Sequence, residues 1–282
     1  MERQSYINAL KRAFLVLEKQ QQDPQVAQYL LLEMLGWNQS RFQLHQDELM
    51  PLAQQKKFAQ AIQLAVLAYP PQYILERAWF YGRQFYVNPA VLIPRQDSET
   101  MIAQILATKT QNLHLLELGT GSGALALTLA LEGKWQTVTA TDISPAALKV
   151  AQINQEYYQV PLKLLTGDLF APVTQEQFDV IVFNPPYIAK EETKYMDTSV
   201  LQYEPKQALF APQKGLAFYQ RFFAEVANYL SPKGSAYLEF GFQQQAEIST
   251  IFQEQLPDWQ IDFFRDLAQQ PRFLRLRRKE VN

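Results

Sequence analysis

The chain contains no cysteine among its 282 residues, which removes disulfide staples, thiolate nucleophiles, cysteine-ligated zinc and iron–sulfur clusters together. Histidine is nearly as scarce. His45 lies in a polar stretch and His114 opens an apolar run, so they read as a surface side chain and a strand end rather than as a metal site, and no metal is expected. No segment approaches the ~18 consecutive apolar residues of a membrane span. The opening stretch, with Arg3, Lys11, Arg12 and Glu18, lacks the apolar core of a secretion signal, so a cytoplasmic location is expected. An excess of one charge is missing too: 26 Lys and Arg against 28 Asp and Glu leave a net charge of -2, too balanced for a protein whose main task is gripping nucleic-acid backbone. What is present is a globular composition, 48% apolar and 19% charged, long enough for one large domain or two modest ones. Glutamine is frequent but scattered along solvated faces rather than gathered in tracts.

The first third reads helical. Tyr6, Ile7, Leu10, Phe14 and Leu17 recur at helical spacing, Asp23-Pro24 offers a helix start, and a second stripe from Val26 to Met34 stops at Gly36. A third stripe, Phe58, Ile62, Ala65 and Val66, ends before Pro70-Pro71. Residues 1–72 are therefore expected to form a small helical bundle. Over 73–97 aromatic and β-branched residues flank Gly82, which predicts a β-hairpin linker. From 98 to 282 apolar runs alternate with helical patterns, the mark of an α/β domain with a parallel sheet and crossover helices. Strands are expected at 113–118, 137–141, 162–165, 180–183 and 236–240, with late strands near 260–264 and 273–276. Helices are expected at 124–131, 145–157 and 216–230.

Two loops carry chemistry. Glu117-Leu118-Gly119-Thr120-Gly121-Ser122-Gly123 ends a buried strand in a glycine-rich turn that opens a helix, where a ligand can approach main-chain N–H groups. Asp142, about twenty residues past that turn, ends the next strand and suits ribose hydroxyls of a nicotinamide or an adenosyl ligand alike. Asp168, beside apolar Leu169 and Phe170, could read an adenine amino group.

The second loop is Asn184-Pro185-Pro186-Tyr187, delivered by the strand before it. The Asn184 side-chain oxygen and the Pro185 main-chain oxygen are two acceptors able to grip a planar –NH₂ group, with Tyr187 packed on its flat face. That arrangement suits methyl transfer to an amide or an exocyclic amine. Such nitrogens are poor nucleophiles, and holding both N–H bonds aligns the lone pair; the proton becomes acidic only as the C–N bond forms, so no strong base is needed first.

These residues resemble the bacterial peptide chain release factor glutamine methyltransferases, the HemK/PrmC family, over nearly the whole chain. Leu92-Ile93-Pro94-Arg95 with Asp97 and Glu99, the Glu117 to Gly123 run, Asp142, Asn184-Pro185-Pro186-Tyr187-Ile188, Tyr203-Glu204-Pro205 with Ala208-Leu209, and Leu238-Glu239 with Gly241 fall in the family's order. Gln96 and Ala268 depart from it locally. The resemblance implies a helical recognition domain joined to a Rossmann-like, seven-stranded S-adenosyl-L-methionine-dependent domain. It implies that Gly119, Thr120, Gly121, Ser122, Gly123, Asp142, Asp168, Leu169 and Asn184 meet the cofactor. It further implies that Asn184, Pro185, Pro186 and Tyr187 hold the glutamine of the Gly-Gly-Gln loop of class-one release factors. Those factors are the expected partners, with no direct nucleic-acid or membrane contact and a monomeric chain.

Other readings stay open on the residues alone. The Asn-Pro-Pro-Tyr motif is shared with DNA adenine methyltransferases, but no basic, aromatic-rich insert accompanies it. The basic segment Arg272, Arg275, Arg277, Arg278 and Lys279 is the contrary feature, and its alternation reads as an exposed strand face. A nicotinamide oxidoreductase would leave that motif unexplained, and a non-catalytic binding module would use only the helical bundle.

Overall fold

The computed structural model describes residues 3–108 and 111–279, and the chain divides into two compact units. The first runs up to Arg77 and takes in the distant segment Asp197–Tyr203. Its helices are α1 (Tyr6–Lys19), α2 (Gln25–Leu35), α3 (Gln39–His45), α4 (Leu52–Val66) and α5 (Pro71–Ile74). Ser5 caps α1 by accepting the Asn8 amide, Asp23 accepts the Gln25 amide before α2, and Gly36 ends α2 with φ +63. The apolar stripes meet in one core around Leu10, Leu17, Leu30, Leu31 and Phe58. At Leu17, wholly buried, the contribution is of order 1.5–3 kcal/mol. Helix α3 escapes a periodicity reading because Phe42 is its one buried residue. Tyr203 donates to the Leu67 carbonyl at 2.8 Å and meets the Tyr69 ring edge-on at 4.8 Å, which ties the distant segment into this unit.

The second unit opens with the hairpin β1 (Arg77–Phe80) and β2 (Arg83–Tyr86), assigned to it from Ala78 onward. There follow α6 (Asp97–Leu106), β3 (Leu113–Leu118), α7 (Ala124–Glu132), β4 (Trp135–Asp142), α8 (Pro145–Tyr158), β5 (Lys163–Thr166) and β6 (Phe178–Phe183). The short α9 (Thr198–Tyr203) belongs to the first unit; α10 (Lys206–Leu209), α11 (Ala217–Tyr229), β7 (Leu230–Glu239), α12 (Gln245–Gln255), β8 (Trp259–Arg265) and β9 (Pro271–Arg278) complete the second.

Seven strands form one sheet in the order β5-β4-β3-β6-β7-β9-β8, parallel except where β9 runs against both β7 and β8. Alternation along the strands feeds two cores. Leu116, Leu118, Ile181, Phe183 and Leu238 pack with α11 and α12, while Leu115, Val180, Val182 and Tyr237 pack with α6, α7 and the hairpin's Phe80 and Phe85. Because the chain steps outward from β3 to β4 and β5, then returns to β6 on the other side, the carboxyl ends of β3 and β6 part to leave a crevice.

Strand β7 begins six residues before the expected 236. Ser231-Pro232-Lys233-Gly234 reads as a turn, but a register shift opposite Asp179 absorbs it, with Phe178 facing Leu230 and Val180 facing Ser235. Asp179 fastens the spot by accepting from Ser231 Oγ at 2.8 Å and from the His114 amide at 2.9 Å. Among the described residues no helix is long and apolar enough to cross a membrane.

Candidate active site

The crevice is a cavity whose wall includes Gly119, Thr120, Gly121 and Ser122 after β3, Asp142 after β4, Asp168 and Leu169 after β5, and Asn184 and Pro186 after β6. The glycine turn brings backbone rather than side chains to this wall. Gly121 has φ +56, its missing side chain would meet no atom within 4 Å, and its amide donates to Asp142 Oδ2 at 2.8 Å. Gly123 is different: it lies off the cavity wall at the start of α7. With φ +80, a Cβ there would stand 3.2 Å from Leu127 Cδ1 and 3.3 Å from Ala151 Cβ, so this glycine lets α7 and α8 approach.

Asp142 is tied on both oxygens, Oδ1 accepting from the Ser144 amide at 2.8 Å as Oδ2 does from Gly121. Each oxygen keeps a second lone pair for an outside donor. Burial raises its pKa against those backbone bonds. Glu117, one turn deeper, is buried and accepts from Thr120 Oγ1 and from the Ala126 amide at 3.0 Å. Burial dominates there as well: the carboxyl is pushed up to about 8 despite both bonds, with Asp142 adding to the rise. Asp168 stands half-exposed on the rim, paired with Arg221 at 2.7 Å, and Leu169 beside it holds φ +47 with its side chain buried.

The turn is braced from outside. Asn154 of α8, nearly inaccessible, donates to the Ser122 carbonyl at 2.8 Å and to the Tyr86 carbonyl at 2.9 Å, and accepts from the Tyr86 amide at 2.7 Å. The hairpin therefore does more than join segments, since it clamps the side chain that holds the glycine turn.

On the opposite wall, β6 carries Asn184 to the cavity, where its Nδ2 donates to Ser98 Oγ at 3.4 Å. Ser98, in the first turn of α6, donates in turn to Glu239 Oε2 at the end of β7. Tyr187 hydroxyl donates to Glu239 Oε1 at 3.3 Å, and the Tyr187 carbonyl accepts from Gln244 Nε2 at 2.8 Å. Pro185 is buried behind the wall, and neither it nor Tyr187 lines the cavity. Burial raises the pKa of Glu239 against the Ser98 bond and the Arg272 charge; burial and then Glu239 raise that of Tyr187.

The expected residues thus fall into two groups. Gly119, Thr120, Gly121, Ser122, Asp142, Asp168, Leu169, Asn184 and Pro186 share one cavity, while Gly123, Pro185 and Tyr187 support it from behind. Sequence reasoning missed Ser98, Asn154 and Arg221, placed Arg272 only on an exposed basic strand face, and used Glu117 and Glu239 only as motif letters. The basic segment requires a correction. β9 is an interior strand, and three of its four arginines have acidic partners: Arg272 with Asp266 at 3.1 Å and Asp97 at 3.3 Å, Arg275 with Asp262 at 2.8 Å, and Arg277 with Asp262 at 3.7 Å, while Arg278 donates to the Ala227 carbonyl at 2.8 Å. The alternation that suggested an exposed face arises because α6, β8 and the loop after β8 supply carboxylates to a half-buried one.

Comparison with known proteins matches two separate stretches of the chain. Residues 8–75 match the family described as PrmC N-terminal domain, and residues 96–212 match the Methyltransferase small domain. A release factor glutamine methyltransferase of Enterococcus faecalis is 36% identical over 264 residues, covering 93% of this chain and 95% of that protein. One from Lactococcus lactis is 41% identical over 206 residues, covering 73% and 76%. Among solved structures, the 16S rRNA N2 G1207 methyltransferase of T. thermophilus, in complex with AdoMet and guanosine, superposes with a TM-score of 0.52 at 20% identity over 72% of this chain and 50% of that one, a likeness of fold. With full-length relatives of one kind well above thirty per cent identity, and both halves matched, the chain belongs to the release factor glutamine methyltransferase family.

Proposed function

We propose that this chain methylates the side-chain amide nitrogen of the glutamine in the Gly-Gly-Gln loop of class-one release factors, with S-adenosyl-L-methionine as methyl donor. The observation that carries the reading is that Asn184 and the Gly119–Gly121 turn with Asp142 face one cavity from opposite walls. The cavity suits the cofactor. Backbone at Gly121 is reachable, Asp142 retains lone pairs for ribose hydroxyls, and Leu169 with Asp168 offers an apolar flank beside an acceptor for an adenine amino group. When bound, the cofactor supplies a methyl group on a positively charged sulfur.

The remaining work falls to the chain. Asn184 Oδ1 accepts an N–H bond of the substrate amide, and Pro186 bounds its flat face, while Pro185 and Tyr187, outside the cavity lining, hold the loop that carries them. A fixed acceptor oxygen favours the positive charge that grows on nitrogen as the C–N bond forms, and it orients the lone pair. The near-balanced net charge supports a protein rather than a nucleic-acid substrate. We place the activity in the cytoplasm and assign it to the monomer.

The test incubates the purified protein with S-adenosyl-L-methionine and unmethylated release factor, maps any added methyl by peptide mass spectrometry, and runs an adenine-containing DNA duplex in parallel. Methyl on the Gly-Gly-Gln glutamine is the expected result. Methyl on adenine alone overturns the substrate, and no transfer to either overturns the activity.

A further inference from the structure

Asn184 has two nearly isosteric orientations of its amide, and only one serves a substrate that offers N–H groups. Turned one way it presents an oxygen to the cavity; turned the other way it presents an –NH₂ that repels an incoming –NH₂. Packing alone cannot choose between two groups of the same shape, so the choice falls to whatever stands on the far side. That group is Ser98 Oγ, 3.4 Å from Asn184 Nδ2 and also on the cavity wall.

Ser98 is itself constrained. Its hydroxyl faces Glu239 Oε2, and a carboxylate only accepts, so the single Ser98 proton is committed there. What remains on Oγ for Asn184 is a lone pair, which takes Nδ2 and leaves Oδ1 for the cavity. The same carboxylate accepts from the Tyr187 hydroxyl at 3.3 Å on its other oxygen. Glu239 and Ser98 are both buried, which protects this order of donors from exchange with water. The elements involved are 141 residues apart in the chain, at the start of α6 and the end of β7.

We propose that Glu239 is a positioning residue which, through Ser98, fixes the Asn184 amide with its oxygen toward the acceptor nitrogen, while anchoring Tyr187 directly. This role rests on Asn184 being a ligand of the substrate amide, as inferred above.

Ser98→Ala, Ser98→Thr, Glu239→Gln, Asn184→Ala and the Ser98→Ala/Asn184→Ala double variant are compared in single-turnover transfer to release factor, with cofactor Kd measured on each by calorimetry. Ser98→Ala should slow transfer about tenfold or more at an unchanged cofactor Kd. Ser98→Thr, which keeps the hydroxyl, should restore most of the rate. Glu239→Gln keeps the packing but lets either end of its amide meet Ser98, so it too should slow transfer without weakening cofactor binding. The decisive readout is coupling: in the Asn184→Ala background, Ser98→Ala should cost less than about twofold. An equal loss in both backgrounds, or single Ser98→Ala and Glu239→Gln rates within twofold of wild type, overturns the relay. An Asn184→Ala protein as fast as wild type overturns the reading of Asn184 itself, a separate failure.

Discussion

The two walls of the cavity are built by different means. The wall after β3 and β4 is mostly backbone: a glycine turn whose amide meets Asp142, all within 26 residues of Glu117. The wall after β6 rests on side chains drawn from three places: Asn184 of the loop after β6 meets Ser98 of α6, Ser98 meets Glu239 of β7, and Glu239 holds Tyr187 of the same loop as Asn184. Backbone walls depend on a local sequence that allows a particular turn. Side-chain walls depend on the whole sheet closing in register, and they are correspondingly easier to perturb one atom at a time.

The sharpest way to break this contrast is Asn184→Ala. It should lower single-turnover transfer by about a thousandfold, as loss of an oriented group at the reacting centre does, while leaving cofactor Kd within about threefold. A large loss of cofactor affinity instead would mean that the walls are not functionally separate. Asp142→Ala should do the reverse. It strips two backbone amides of their acceptor as well as removing ribose contacts, and cofactor Kd measured by calorimetry should rise about a hundredfold.

Glu117 sharpens the comparison through pH. Its native pKa, pushed up to about 8, lies above the ordinary 4.5, so between those values the folded state holds a proton that the unfolded state has lost. Stability must therefore fall as pH rises through this window and level off above about 8. Asp142 and Glu239, also raised, add to the slope, so the informative quantity is the difference on replacing Glu117 with Gln. Between about pH 6 and 9 wild type should lose roughly 3 kcal/mol more than Glu117→Gln in urea melts, and parallel curves would remove Glu117 as the buried acid. The smallest effect is expected at the rim: Asp168→Ala breaks a half-exposed pair with Arg221 and should change the melting free energy by less than about 1 kcal/mol. Its cofactor Kd should rise only about fivefold, because Asp168 already spends part of its charge on Arg221.

What could be read from the sequence follows the same line. The glycine turn, Asp142 and the Asn184 loop were legible because each is a short run in which residue type and chain direction decide the geometry. The alternating α/β pattern gave the sheet, and the three stripes ending at Gly36 and Pro70 gave the bundle. Ser98 was not legible, since nothing near it in the chain hints at Glu239, and a lone serine in a first helical turn reads as local capping. Arg272 and its neighbours were misread because alternation reports two unlike faces without saying whether the polar one meets water or carboxylates. The insertion of β9 between β7 and β8 depends on pairing order, which periodicity does not encode.

The segment Asp197–Tyr203, counted with the helical unit although it is encoded between β6 and β7, sets a rule for dissecting the protein. The helical unit is discontinuous in the gene, so no single cut yields both units intact. Removing everything before Ala78 would keep Tyr203 while deleting the Leu67 carbonyl and Tyr69 ring that it meets, leaving a short helix without its partners in the middle of the transferase half.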